Sequence, residues 1–82
     1  MLKRQALAIQ DIHVPVKRRQ TLDPKKVEAL AESMLAQGQD APVLVRADGK
    51  RFVLVEGLHR LEACKALGET TVSAYLVHVR PH

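Results

Sequence analysis

Tryptophan is absent from the 82-residue chain, and Phe52 and Tyr75 are its only aromatic residues. Platforms that stack the bases of single-stranded nucleic acid depend on aromatic faces, so this scarcity argues against that class and leaves Leu, Val and Ala to fill a core. Cysteine occurs once, at Cys64, so no intramolecular disulfide can form. No charged-then-apolar leader opens the chain, and no apolar run nears the roughly 20 residues that a membrane-spanning helix needs. These absences predict a cytoplasmic protein. Length is scarce too: 82 residues support one core, so a single domain over 1–82 is expected. A chain of this size buries about 60–65% of the surface its unfolded form exposes, so stability is modest and a protein partner or a homodimer would add to it.

The net charge is +4, unevenly placed: residues 1–26 carry seven Lys/Arg against Asp11 and Asp23, while residues 27–82 carry six against seven acids. The densest cluster, Lys17-Arg18-Arg19, reads most simply as a solvated loop, with an anion or nucleic-acid contact as the alternative. His13, His59, His78, His82 and Cys64 follow no recognised metal-ligand spacing, so no metal site is expected.

Ile9 to Val16 places apolar residues at Ile9, Ile12, Val14 and Val16 around Pro15, the pattern of a short edge strand. Asp23-Pro24 is a helix start, since Asp23 can cap free N–H groups and Pro24 at the first helical position loses no hydrogen bond. Val27, Leu30, Ala31, Met34 and Leu35 then follow the spacing of one buried stripe, and Gly38 closes the helix. Pro42 to Val45 and Phe52 to Val55 are β-branched runs joined through Ala47-Asp48-Gly49-Lys50, whose Asp-Gly pair suits a tight hairpin. A second helix runs from about Leu58 to Leu67, and Val72 to Val79 alternates as a last strand. The order β-α-β-β-α-β predicts a compact α/β (α+β) domain, a small mixed sheet with two main helices and a core over about 9–79.

The chemistry concentrates at Val53-Leu54-Val55-Glu56-Gly57-Leu58-His59-Arg60, a buried strand that runs through a glycine directly into a helix. Gly57 would let backbone approach a ligand, and the free N–H groups and dipole of the first helical turn favour an anion. Arg60 adds a five-donor fork suited to phosphate oxygens, and His59 adds one or two donors. No Walker-type GxxxxGK[ST] is present, so this is a phosphate site of another design. On the first helix, Lys26, Ala29 and Ser33 share one line at the border of the apolar stripe, from which side chains can reach a cleft. Glu56, beside the turn, is the one carboxylate placed to act as a base or metal ligand.

Leu22-Asp-Pro-Lys-Lys-Val-Glu-Ala-Leu-Ala-Glu-Ser-Met, followed by Gly38 and Pro42, resembles the first box of the ParB/sulfiredoxin superfamily. Gly57-Leu-His-Arg-Leu-Glu-Ala-Cys-Lys-Ala-Leu-Gly resembles its second. In sulfiredoxins the corresponding Lys, Ser/Thr and His-Arg hold ATP, so the resemblance implies Lys26, Ser33, Gly57, His59 and Arg60 as a nucleotide site. Partition ParB proteins use the same turn to hold the triphosphate of CTP, so ATP or CTP with Mg²⁺ is the implied ligand. Sulfiredoxin also needs a reactive cysteine immediately before the His-Arg pair, where Leu58 stands here, and Cys64 lies further along among Leu61, Ala63 and Leu67 as a buried thiol.

The reading that follows is a nucleotide-triphosphate-binding module, regulatory or tied to DNA segregation. The alternative is an enzyme at the same phosphate site, a phosphotransferase, NTPase or ParB-like nuclease, because a relative in the superfamily phosphorylates free serine. The Lys17-Arg18-Arg19 cluster supports at most weak, non-specific DNA binding.

Overall fold

A computed structural model describes residues 3–38 and 41–78. Five strands, β1 (Arg4–Ala8), β2 (Ile12–His13), β3 (Val43–Asp48), β4 (Arg51–Glu56) and β5 (Thr71–Leu76), form one mixed sheet in the order β1-β5-β3-β4-β2. β3 lies at its centre, antiparallel to β4 and parallel to β5, while β2 runs parallel to β4. The helices are α1 (Val16–Arg19), α2 (Pro24–Gln37) and α3 (Leu58–Ala66). The mixed α/β architecture expected from the sequence is therefore present.

The N-terminal segment differs from the expected edge strand over Ile9 to Val16. Only Ile12–His13 pairs, after a 3-10 turn at Ile9–Asp11, and a strand that sequence reading missed, β1, precedes it. Ile9 and Ile12 are both buried, three residues apart, which is the period of that turn and not of a strand. Pro15 has no N–H for a ladder, and it stands immediately before α1. Lys17, Arg18 and Arg19 accordingly sit on a short exposed helix and not in a loop. β1 has no β-branched residue; it is a strand because β5 pairs with it antiparallel from Arg4↔Tyr75 to Ala8↔Thr71.

The remaining elements follow local signals. Asp23 Oδ1 accepts the Lys25 N–H at 3.0 Å, Pro24 opens α2, and Gly38 at φ 63° returns its N–H to the Met34 carbonyl. Val27, Leu30, Ala31 and Met34 are half-buried, but Leu35 is 73% exposed. Eight residues beyond Val27 the helix has turned about 80° past it, out of the stripe. In the hairpin, Asp48 pairs with Arg51, so the two-residue loop is Gly49-Lys50 and not Asp-Gly. Gly49 takes φ 62° at the first loop position, where a type II′ turn places glycine. Asp48 instead closes the ladder and accepts from Arg51 Nε at 3.2 Å. α3 ends at Ala66, a residue short of expectation, and β5 ends at Leu76, with Val79 outside the described residues.

The core is aliphatic: Val43, Val45 and Val72 from the sheet meet Leu58, Leu61 and Cys64 from α3, with Met34 and Phe52 packed at its margin. Leu61 is wholly buried. Leu61→Ala should therefore cost about 2–5 kcal/mol, whereas Leu35→Ala should stay within about 0.5 kcal/mol of the parent. Urea melts of the two variants check the pair, and comparable losses would mean that the stripe of α2 is packed as the sequence pattern alone implied.

Candidate anion-binding site

β4 passes through Gly57 straight into α3. Gly57 holds φ 105° and ψ 30°, a left-handed conformation that L side chains rarely adopt. A Cβ built there would lie 2.7 Å from Val43 Cγ1 and 3.2 Å from Val43 Cα. The glycine is thus required by the close approach of β3, and the space where a side chain is missing is filled by Val43 and not left for a ligand. The expectation that glycine serves direct ligand approach is corrected to that extent. Its other consequence stands: with no side chain at the N-cap, the start of α3 is uncapped.

The starts of the two long helices are opposites. In α2, Pro24 has no N–H, Lys25 bonds the Asp23 carboxylate, and Lys26 and Val27 bond the Asp23 carbonyl at 3.0 and 3.1 Å. Its donors are satisfied. In α3, Leu61 N–H bonds the Gly57 carbonyl at 2.9 Å, while the N–H groups of Leu58, His59 and Arg60 have no acceptor among the described residues. Three open donors at a helix N-terminus, with the positive end of the dipole behind them, suit an anion. Arg60 adds a second feature: its Nη1 is completely buried and has no hydrogen-bond partner among the described residues. A buried guanidinium N–H left unsatisfied costs about 1–3 kcal/mol, which an incoming oxygen would recover.

His59 is already engaged, because its Nε2 accepts the Asp23 N–H at 3.1 Å. The N-termini of α2 and α3 therefore lie together, and Met34 and Gly38 meet Cys64 and Leu67 around a cleft at the other end of both helices. On α2, Lys26 is exposed and Ser33 half-buried; Glu56 is exposed at the end of β4. β2 and β4 run parallel, so α1, which follows β2, starts at the same end of the sheet as α3. A cleft of about 330 Å³ lined by Ile12, Val14, Arg19, Leu22, Leu58, Glu62 and Lys65 joins them. Arg19 thus shares a cleft with Leu58 at the turn that sequence reading treated separately, while Lys17 and Arg18 stand exposed on the same short helix, and no sequence signal carried that parallel pairing. Leu58 and Cys64 are each 6% exposed and belong to the core. Among the described residues no three His, Cys, Asp or Glu side chains converge as a metal site.

A mixed sheet with an open, arginine-flanked helix start after its inner strand defines a small α/β domain with an anion-receptive turn. The chain belongs to the ParB N-terminal domain family, which matches residues 2–81. It is 38% identical over 69 residues to the chromosome-partitioning protein ParB of Myxococcus xanthus, and 31% identical over 65 residues to the probable chromosome-partitioning protein ParB of Campylobacter jejuni. The matches cover 83% and 79% of this chain but only 23% of either relative. Among solved structures, sulfiredoxin from Arabidopsis thaliana superposes with a TM-score of 0.81 at 26% identity, over 94% of this chain and 86% of that one. C-terminally truncated ParB from Caulobacter crescentus, solved with CTP-γ-S, superposes at 0.79 with 23% identity, over 95% and 46%. A free serine kinase variant in complex with ADP superposes at 0.78 with 19% identity, over 90% and 30%; the last two likenesses concern the fold.

Gly57→Ala tests the geometry of the turn directly. Left-handed strain and the overlap with Val43 together should cost about 2–4 kcal/mol. Thermal or urea unfolding measures it, and a loss below about 1 kcal/mol, the ordinary scale for a surface change, would mean that β3 does not press on the turn as described.

Proposed function

We propose that this chain is a single ParB-like module that binds a nucleoside triphosphate, ATP or CTP, with Mg²⁺ at the start of α3. The observation that carries the reading is the pairing of three open N–H groups at Leu58, His59 and Arg60 with the buried, unpartnered Nη1 of Arg60. Lys26 and Ser33 would complete the site from α2, and Lys17, Arg18 and Arg19 would add positive potential at its edge. The fit is one of donors to acceptors, since every group named is a donor or a cation and a triphosphate supplies oxygens. Mg²⁺ would be carried chiefly by the phosphates, where it offsets their charge. The CTP-γ-S complex of Caulobacter crescentus ParB supports the ligand class. The ParB relatives, named for chromosome partitioning, support a role in partition, and we read that role as a regulatory one in the cytoplasm, with a second copy or another protein as partner. No described helix is long and apolar enough to cross a membrane. A sulfinic-acid repair activity is not proposed, because Leu58 replaces the thiol and its side chain is committed to the core.

Calorimetry with ATP, CTP and GTP in the presence of Mg²⁺ tests the reading. Arg60→Ala should weaken binding about ten- to a hundredfold, the loss of a charge-assisted contact worth about 1.5–3 kcal/mol. Absence of heat with every triphosphate, or equal affinity in both proteins, defeats it.

Duplex DNA should bind only weakly and without sequence preference. The bases of α1 can contact phosphates, but α1 is four residues long, the exposed face of α2 carries Glu28 and Glu32, and α3 turns Leu58, Leu61 and Cys64 into the core, so no described helix offers a basic face to read base edges in a groove. The expected dissociation constant is roughly 10⁻⁴–10⁻⁶ M at physiological salt. Fluorescence anisotropy with random and palindromic duplexes measures it, and nanomolar, sequence-selective binding would replace the nucleotide-module reading with one of DNA recognition.

A further inference from the structure

The two ring nitrogens of His59 have different fates. Nε2 accepts the Asp23 N–H at 3.1 Å, a contact that spans 36 residues of sequence. A nitrogen that accepts carries no proton, so this hydrogen bond assigns a neutral imidazole with its proton on Nδ1. Asp23 is no incidental partner. Its carboxylate and carbonyl together take the N–H groups of Lys25, Lys26 and Val27, so His59 grips the residue on which the whole first turn of α2 is hung. That turn carries Lys26. His59 is itself the second residue of α3, beside Arg60, whose Nη1 is buried without a partner among the described residues.

We propose that His59 is a positioning residue: through Asp23 it holds the first turn of α2 against the first turn of α3 and so sets Lys26 relative to Arg60, instead of offering Nε2 to a bound anion. What is positioned rests on the triphosphate reading; the tether does not. The family resemblance gives His59 and Arg60 the same task, and the geometry divides the pair. To donate from Nε2 to a phosphate oxygen, His59 must gain a proton there and release Asp23, leaving a part-buried N–H without an acceptor. Ligand and tether therefore exclude one another at that nitrogen. The requirement on the side chain is an acceptor at the reach of Nε2, which a glutamine carbonyl oxygen meets and a phenylalanine ring of similar volume does not.

The test uses the complete chain, with inorganic tripolyphosphate and Mg²⁺ as the probe. Nitrogen NMR of the parent should find the Nδ1–H tautomer of His59 and an Asp23 amide protected from hydrogen exchange. In His59→Phe that amide should exchange at least about tenfold faster, and probe affinity should fall by a similar factor; His59→Gln should restore both to within about threefold. An Nε2–H tautomer in the parent, or unchanged Asp23 exchange in His59→Phe, overturns the proposal. So does a His59→Gln protein that protects Asp23 yet binds the probe as poorly as His59→Phe, since His59 would then be a direct ligand. If His59→Phe does not fold, the tautomer and His59→Gln decide the question. If the parent binds no triphosphate, the functional reading fails and the tether stands or falls on tautomer and exchange alone.

Discussion

The contact between Val43 and Gly57 governs the functional end of this protein. β3 is the central strand, paired on both edges, and Val43 is almost completely buried, so it cannot give way to a side chain at position 57. Glycine is required there, and with it comes a backbone at φ 105° that turns β4 into α3 without an intervening loop. The same requirement removes the side chain that would ordinarily cap the helix. An uncapped start with three open N–H groups is therefore a by-product of how the sheet packs. α2 shows the opposite solution, with Asp23 and Pro24 leaving its first turn no free donor.

Electrostatics compounds the effect. The positive ends of two helix dipoles lie side by side, with the bases of α1 at the same end of the sheet. Like poles repel, so this arrangement carries a cost that an anion between them would offset. The hydrogen bond from Asp23 to His59 holds the two starts together against that repulsion. Glu62 paired to Lys65 at 3.0 Å supplies some local balance further along α3, yet Arg60 Nη1 stays without a partner among the described residues.

The domain reaches this arrangement with little material. Its core is built from Val, Leu, Ile, Ala and one thiol, with Phe52 at the margin, and two of its exposed apolar side chains, Val16 and Leu35, lie on helices that contribute no fully buried residue. α3 is the helix that enters the core, through Leu58, Leu61, Ala63 and Cys64. The element that seals the core is thus the one whose first turn faces the candidate ligand, so occupation of the site would bear on the stability of the whole sheet-helix packing.

What the sequence determined by itself is what neighbouring residues enforce on one another. Asp23-Pro24 and Gly38 bound α2, β-branched runs around a glycine make the hairpin, and a glycine between a buried strand and an apolar-periodic segment marks the turn into α3. Each of those signals acts within a few residues, where side-chain capping and backbone sterics decide the outcome. What only the tertiary structure decided depends on partners far along the chain. Arg4–Ala8 has no strand-forming composition and is a strand because β5 lies beside it; the hairpin loop is Gly49-Lys50 because the ladder carries Asp48 opposite Arg51. Arg19 comes beside Leu58 through a parallel pairing of β2 with β4, and His59 is taken up by Asp23. Hydrogen bonds and close contacts of that span leave no periodicity in the sequence, because they are set by where the folded chain returns and not by what precedes or follows a residue.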